Sequence, residues 1–180
     1  MASSDNLLTD GASVTCNIPL AFLWSILKVA LLIVVLLTVQ ASSQEWEQFG
    51  FRKFGFGFDV SPGFILKETT KNGGGATFEA GDGGFLTVWG DSLPKENFKA
   101  AVEAHLNADE IEGWDVTYRR ITPTWASYSG IKDGRIRYFR AIAICNHRVG
   151  IFQLDYDVRD KVPYDPIVVR MVRSLKEDSC

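Results

Sequence analysis

The stretch Phe54-Gly55-Phe56-Gly57-Phe58-Asp59-Val60-Ser61-Pro62-Gly63-Phe64 puts phenylalanine at every second position and glycine between. Side chains leave a strand on alternate faces, so Phe54, Phe56, Phe58 and Val60 share one face. Gly55, Gly57 and Asp59 share the other, and interior glycine marks a bulge or the close approach of another element. A cohesive FG repeat needs many copies in a disordered setting, and the alternation here is short. The stretch therefore predicts a strand buried by one aromatic face, with a wall of a ligand pocket as a secondary use. Pro62-Gly63 then forces a turn, and Phe64 to Thr70 follows as a second strand.

Reading outward toward the C-terminus, Ala76 to Ala80 and Phe85 to Gly90 form a hairpin across a glycine-rich turn. Ser92 is placed to cap a helix, with Pro94 in its first turn. Phe98, Ala101, Val102, His105 and Leu106 make the apolar stripe of that helix, and Gly113 ends it. Four strand-like runs follow: WDVTYRRI, TWASYSGI, RIRYFRAIAIC and RVGIFQLDYD. Asp133-Gly134 and Cys145-Asn146-His147 are the hairpin turns between them, and such short gaps force antiparallel neighbours. The run YFRAIAIC is apolar on both faces, so this strand is central and covered on both sides. Asp165 caps a closing helix with Pro166 at its first position. Ile167 or Val168, Met171, Val172 and Leu175 form its stripe, and Arg170, Arg173 and Lys176 suit its end. The order predicts an α+β fold: a twisted antiparallel sheet with helices packed on its faces, an α/β/α sandwich over residues 54–177.

Toward the N-terminus, residues 42–53 read as a linker, with one short helical turn in its polar lead-in. Ahead of it runs IPLAFLWSILKVALLIVVLLTV, residues 18–39, interrupted by Lys28. As a signal peptide, residues 1–41 have an h-region of 11 residues and small residues at Val39 and Ala41, with cleavage before Ser42. As an anchor, the 22-residue segment spans the bilayer, and a central Lys28 costs about 2.5–3.5 kcal/mol. The polar start holds Asp5 and Asp10 but no Lys or Arg, which counts against the signal and leaves the inverted orientation open. Export is the favoured expectation: secreted or periplasmic, or anchored by residues 18–39.

The chain has 180 residues, 46% hydrophobic and 23% charged, with a net charge of −3. That composition supports a globular core, and without a basic excess nothing favours nucleic acid. Three cysteines, Cys16, Cys145 and Cys180, are too few for a disulfide framework. Cys145 and Cys180 would remain in an oxidising compartment after cleavage and have the opportunity to pair.

Phe56 to Phe64, with its aromatic-x-Pro-x-aromatic corner, resembles the opening of PsbP-like domains. Trp125 to Gly130 followed by Arg137-Tyr138, and Asp165-Pro166-Ile167 through Met171 to Ser174-Leu175, are similar to a hairpin and the closing helix of that superfamily. It includes the extrinsic P-protein of photosystem II and a Ran-GTPase-binding nuclear protein. The resemblance implies the architecture, and it brings no shared catalytic residues to transfer.

The chemistry-bearing residues are few. Cys145 and His147 share a face of a continuing strand, as a thiolate–imidazole pair requires, against a buried cysteine followed by a turn. His105 and His147 lack HxxH or CxxC spacing, so no metal and no cofactor are expected. The glycine clusters do not match a phosphate loop. The most distinctive surface is basic: Arg119, Arg120, Arg135, Arg137, Arg140 and Arg148, interleaved with Tyr118 and Tyr138. It suits an acidic protein partner or a small anionic ligand such as a phosphate or lipid headgroup. Cross-strand pairing with Asp115, Asp155 and Asp157 is the simpler account. The expectation is a non-enzymatic, exported binding or scaffold domain of the cell envelope. Its candidate binding residues are Arg119, Arg135, Arg137, Tyr138, Phe54, Phe56 and Phe58. The alternatives are a membrane-tethered cytoplasmic adaptor or chaperone-like protein, and a thiol enzyme using Cys145 and His147.

Overall fold

The computed structural model describes residues 45–93, 97–145 and 147–178. Both readings of the leader, and the cleavage point, lie outside them. Among the described residues no helix is long and apolar enough to cross a membrane.

The described chain builds two antiparallel sheets. The small one has the order β1 (Glu47–Phe51), β2 (Phe56–Val60), β10 (Lys176–Glu177). The large one runs β3 (Phe64–Thr69), β4 (Gly75–Ala80), β5 (Phe85–Ser92), β9 (Arg148–Asp157), β8 (Arg135–Ile144), β7 (Trp125–Lys132), β6 (Asp115–Ile121). Helix α1 (Phe98–Ile111) joins β5 to β6, and α2 (Lys161–Ser174) follows β9 through a 3-10 turn. The meander β6 to β9 is antiparallel throughout, as its short gaps require.

Alternation along the central strands feeds two cores. Phe139 and Ala141 of β8, with Val149 and Ile151 of β9, meet Phe98, Val102 and Leu106 of α1. Ile136 and Ile144 of β8, with Phe152, Leu154 and Tyr156 of β9, face the other way. There they are covered by Phe56, Phe58 and Val60 of the small sheet, by Tyr164, Val168 and Met171 of α2, and by Leu175 just past its end. A strand apolar on both faces is thus covered on both.

The opening stretch is a buried aromatic strand, but its pairing differs from the reading above in three ways. The lead-in taken for a linker contains β1, because β2 sits in the middle of its sheet and needs partners on both edges. Phe51 of β1 stacks on Phe56 at 5.1 Å, and Phe49 meets Phe78 edge-on at 5.1 Å. Phe54 lies outside the strand, in a turn where the Phe54 and Gly55 amides donate to Phe51 O at 3.0 and 2.8 Å. Pro62-Gly63 makes the turn into the second strand, but that turn hands the chain from one sheet to the other, and β3 pairs with β4 and not with β2.

The aromatic face needs glycine opposite it. Gly90 of β5 and Gly150 of β9 are cross-strand neighbours. A Cβ on Gly90 would lie 2.3 Å from the Phe54 ring, and one on Gly150 2.8 Å from the Phe56 ring. The two sheets approach this closely only because both positions lack side chains.

Helix starts are displaced as well. Ser92 ends β5, and Asn97 caps α1 by accepting from the Ala100 amide at 3.0 Å. Helix α2 begins at Lys161, ahead of Asp165, which accepts from Lys161 Nζ at 2.9 Å one turn back. Pro163 falls in the first turn, where a missing N–H goes unneeded.

Candidate binding groove

The basic residues divide by strand parity. Arg137 points under α1, directly opposite Asp155. Its Nε and Nη2 donate to the two Asp155 oxygens at 3.0 and 2.8 Å, and its Nη1 to Asp109 Oδ1 of α1 at 2.7 Å. The guanidinium also lies 4.1 Å from the Trp114 ring, and Tyr128 OH donates to Asp109 Oδ2 at 2.6 Å. Burial opposes its charge, but the two carboxylates outweigh that and raise its pKa. Burial, then the Asp109 carboxylate, holds the Tyr128 hydroxyl far above the ordinary phenol range. Arg135 is tied to backbone, donating to Gly83 O and Asp155 O at 3.0 Å each. Arg119 sits at the exposed edge of the same face, in a recess with Lys99 and Glu103. Arg148 donates to Lys53 O at 2.9 Å.

On the opposite face α2 and the small sheet cover β8 but do not close over β6 and β7. An open groove of about 650 Å³ runs there between the sheet and α2. Tyr118, Ser129, Ile131 and Tyr138 form its floor, and Val168, Val169, Val172 and Arg173 its helical wall. Tyr118 is 47% exposed, Ile131 41% and Val169 46%. Registers place Tyr118, Ser129 and Tyr138 of the floor in one cross-strand row, and Arg120, Ser127 and Arg140 in the next row on the same face, beyond the groove's lining. Ser127, itself buried, accepts from Tyr138 OH at 3.2 Å and from Arg140 Nη1 at 3.1 Å. Arg140 and Arg120 flank the Trp125 ring at 4.4 and 5.2 Å. Burial lowers the Arg140 pKa, only partly offset by Tyr138 and Tyr118.

Of the residues singled out by sequence, Tyr118 and Tyr138 line the groove, while Arg137 and Arg135 are held on the other face. Phe54, Phe56 and Phe58 are 7%, 0% and 0% exposed, in the core between the sheets. Trp125, Val169 and Arg173 are not among the candidate binding residues read from the sequence. The alternation in WASYSGI carried the signal: Ala126 and Tyr128 are buried toward α1, while polar Ser127 and Ser129 mark a second face without an apolar cover.

Cys145 is disulfide-bonded, and Cys16 and Cys180 both lie outside the described residues. His147 stands in a left-handed turn at φ 56°. The pair therefore offers no free thiol on a continuing strand. His105 packs against Trp89 and Phe139, with ring centroids at 5.4 and 5.2 Å. Among the described residues no group of three or more His, Cys, Asp or Glu is placed to hold a metal.

An antiparallel sheet backed by two helices and carrying a small aromatic sheet is an α+β fold of the PsbP-like type. The solution structure of cyanobacterial PsbP (CyanoP) from Synechocystis sp. PCC 6803 is similar to this chain with a TM-score of 0.58 and 12% identity. The match covers 77% of this chain and 95% of that one. No protein-family model matches the sequence, and no curated protein sequence matches it.

Proposed function

We propose that this chain is a non-enzymatic binding domain, exported by its leader to the cell envelope or held there by it. Its groove grips an acidic segment of a partner protein. The observation that carries this reading is the groove itself, where aromatic and aliphatic side chains remain open on a molecule whose other core faces are covered. Small-molecule sites enclose most of their ligand's surface, whereas here the floor and wall stay 41–47% exposed at Tyr118, Ile131 and Val169. An open apolar floor beside Trp and Arg is the composition of a protein-docking surface. Arg120, Arg140 and Arg173 have no ion-pair partner among the described residues, so the complementary segment is acidic. The PsbP-like fold is compatible with this role.

A photo-crosslinking residue at Val169 or Ile131, introduced in the native cell, should yield the same discrete adduct from both positions. A crosslinker at Ile65, exposed on the far edge strand, should not. Identical patterns from all three positions would remove the groove from the proposal. Mass spectrometry of the mature N-terminus tests export: a chain beginning at Ser42 is the cleaved form. An intact leader with the domain protected inside the cytoplasm favours the tethered-adaptor reading instead.

A further inference from the structure

Arg140 differs from Arg137, on the other face of the same strand, in lacking an acid. Its Nη1 donates to Ser127 Oγ, but its Nε is buried without an acceptor. Among the described residues Nη1 alone of the Arg140 guanidinium has an acceptor, so Nη2, on the same edge as Nε, is also unpaired. That leaves one edge of a planar donor fork without an acceptor, its Nε covered, and such a fork matches the two oxygens of a carboxylate. The same strand shows what fills the equivalent edge on its other face: Arg137 uses Nε and Nη2 for the two oxygens of Asp155. On the groove face, the residues directly opposite Arg140 are Ser127 and Phe152, so neither neighbouring strand supplies an acid. The one acid paired on this face of β6, Asp115, stands at the other end, opposite Ile131.

We infer that Arg140, Arg120 and Trp125 form a carboxylate subsite for an aspartate, glutamate or C-terminal carboxylate of the segment that occupies the groove. The carboxylate takes the Nε and Nη2 edge of Arg140, its carbon stem lies against Trp125, and exposed Arg120 closes from solvent on the ring's other contact. Stacking on Trp125 fixes the guanidinium plane before the ligand arrives, which reduces the ordering that binding must supply. The subsite rests on the groove reading and names the chemistry at its basic end.

Nuclear magnetic resonance on the purified protein tests it, reading the Arg140 Nε–H and Trp125 indole N–H signals. The probes are 3-phenylpropionate, its isosteric amide 3-phenylpropanamide, and inorganic phosphate. The acid should shift both signals saturably at millimolar concentration, and the amide should bind at least about tenfold more weakly, the discrimination expected of a charge-assisted pair. Arg140→Lys keeps the charge but removes the fork, so it should lose that discrimination while apolar contacts still shift Tyr118 and Ile131. Its thermal melt provides the folding control. Equal binding of acid and amide, or no shift at Arg140 and Trp125, overturns the subsite. The groove reading then stands or falls separately on the Val169 and Ile131 crosslinks. Phosphate competing better than the carboxylate overturns the assigned ligand class.

Discussion

Arg137 and Arg140 stand three residues apart on one strand and leave it on opposite faces. Both are taken partly out of water. Under α1, Arg137 finds Asp155 on the neighbouring strand and Asp109 on the covering helix. On the α2 side, Arg140 finds a serine hydroxyl and a tryptophan ring. Residue type does not decide whether an arginine is structural or available; what the covering element supplies decides it. The sharpest way to break this contrast is Arg137→Met, which strands two carboxylates only 6% and 13% exposed. Removing one partner of a buried pair leaves uncompensated charge, so urea unfolding should show a loss of about 3–5 kcal/mol. A loss below about 1 kcal/mol, the scale of a solvent-exposed pair, would mean that Arg137 is no more structural than Arg140.

The two sheets offer a second contrast, between glycines that seat a ring and glycines that face open space. Gly150→Ala forces a Cβ to within 2.8–3.0 Å of three Phe56 ring atoms, in a layer with no room to yield. Overpacking of this kind should cost about 1–3 kcal/mol in the same unfolding measurement. Gly81→Ala meets nothing within 4 Å and should stay within about 0.5 kcal/mol. Equal effects at the two positions would show that the small sheet does not pack on the large one through this glycine seat.

Sequence periodicity carried the meander, the two helical stripes and the aromatic face, because each depends on local alternation or on a short gap. It missed what depends on partners remote in the chain. β1 looks polar by composition, and only the need of β2 for a second neighbour makes it a strand. Gly90 and Gly150 look like ordinary strand glycines until Phe54 and Phe56 are set above them. At the site, the arginine ladder was visible as a run of residues, and its pairing with Asp155 was among the expectations. Which arginine stayed unpaired was not legible, since that follows from where α2 stops and from the β6 register, which shifts between Val116 and Tyr118. The helical wall of Val169 and Arg173 was hidden for the same reason.

His105 sharpens the α1 side with a smaller effect. Burial against Trp89 and Phe139 lowers its pKa from 6.5, partly opposed by Asp109 and Glu112 and reinforced by Arg137. Below pH 6.5 the unfolded chain therefore binds a proton that the folded protein resists, and stability falls as the pH drops. His105→Phe should flatten that part of the stability–pH profile, leaving the steeper acid limb of the carboxylates. An unchanged slope between neutral pH and the carboxylate range would remove His105 as its source.

The smallest effect is expected where the contrast with Arg137 is most direct. Arg140→Met removes one hydrogen bond to Ser127 and a stack on Trp125, worth about 0.5–1 kcal/mol apiece. It also removes the desolvation of a charge that no protein carboxylate compensates, a gain of similar size and opposite sign. The two should nearly cancel, so the unfolding free energy in urea should change by less than about 1 kcal/mol in either direction, against about 3–5 kcal/mol for Arg137→Met. A stable Arg140→Met protein that no longer distinguishes phenylpropionate from its amide would separate the two faces of β8 by role: one arginine holds the fold together, and the other waits for an acid that the fold does not provide. A large loss of stability would instead make Arg140 a second structural arginine and return it to the core.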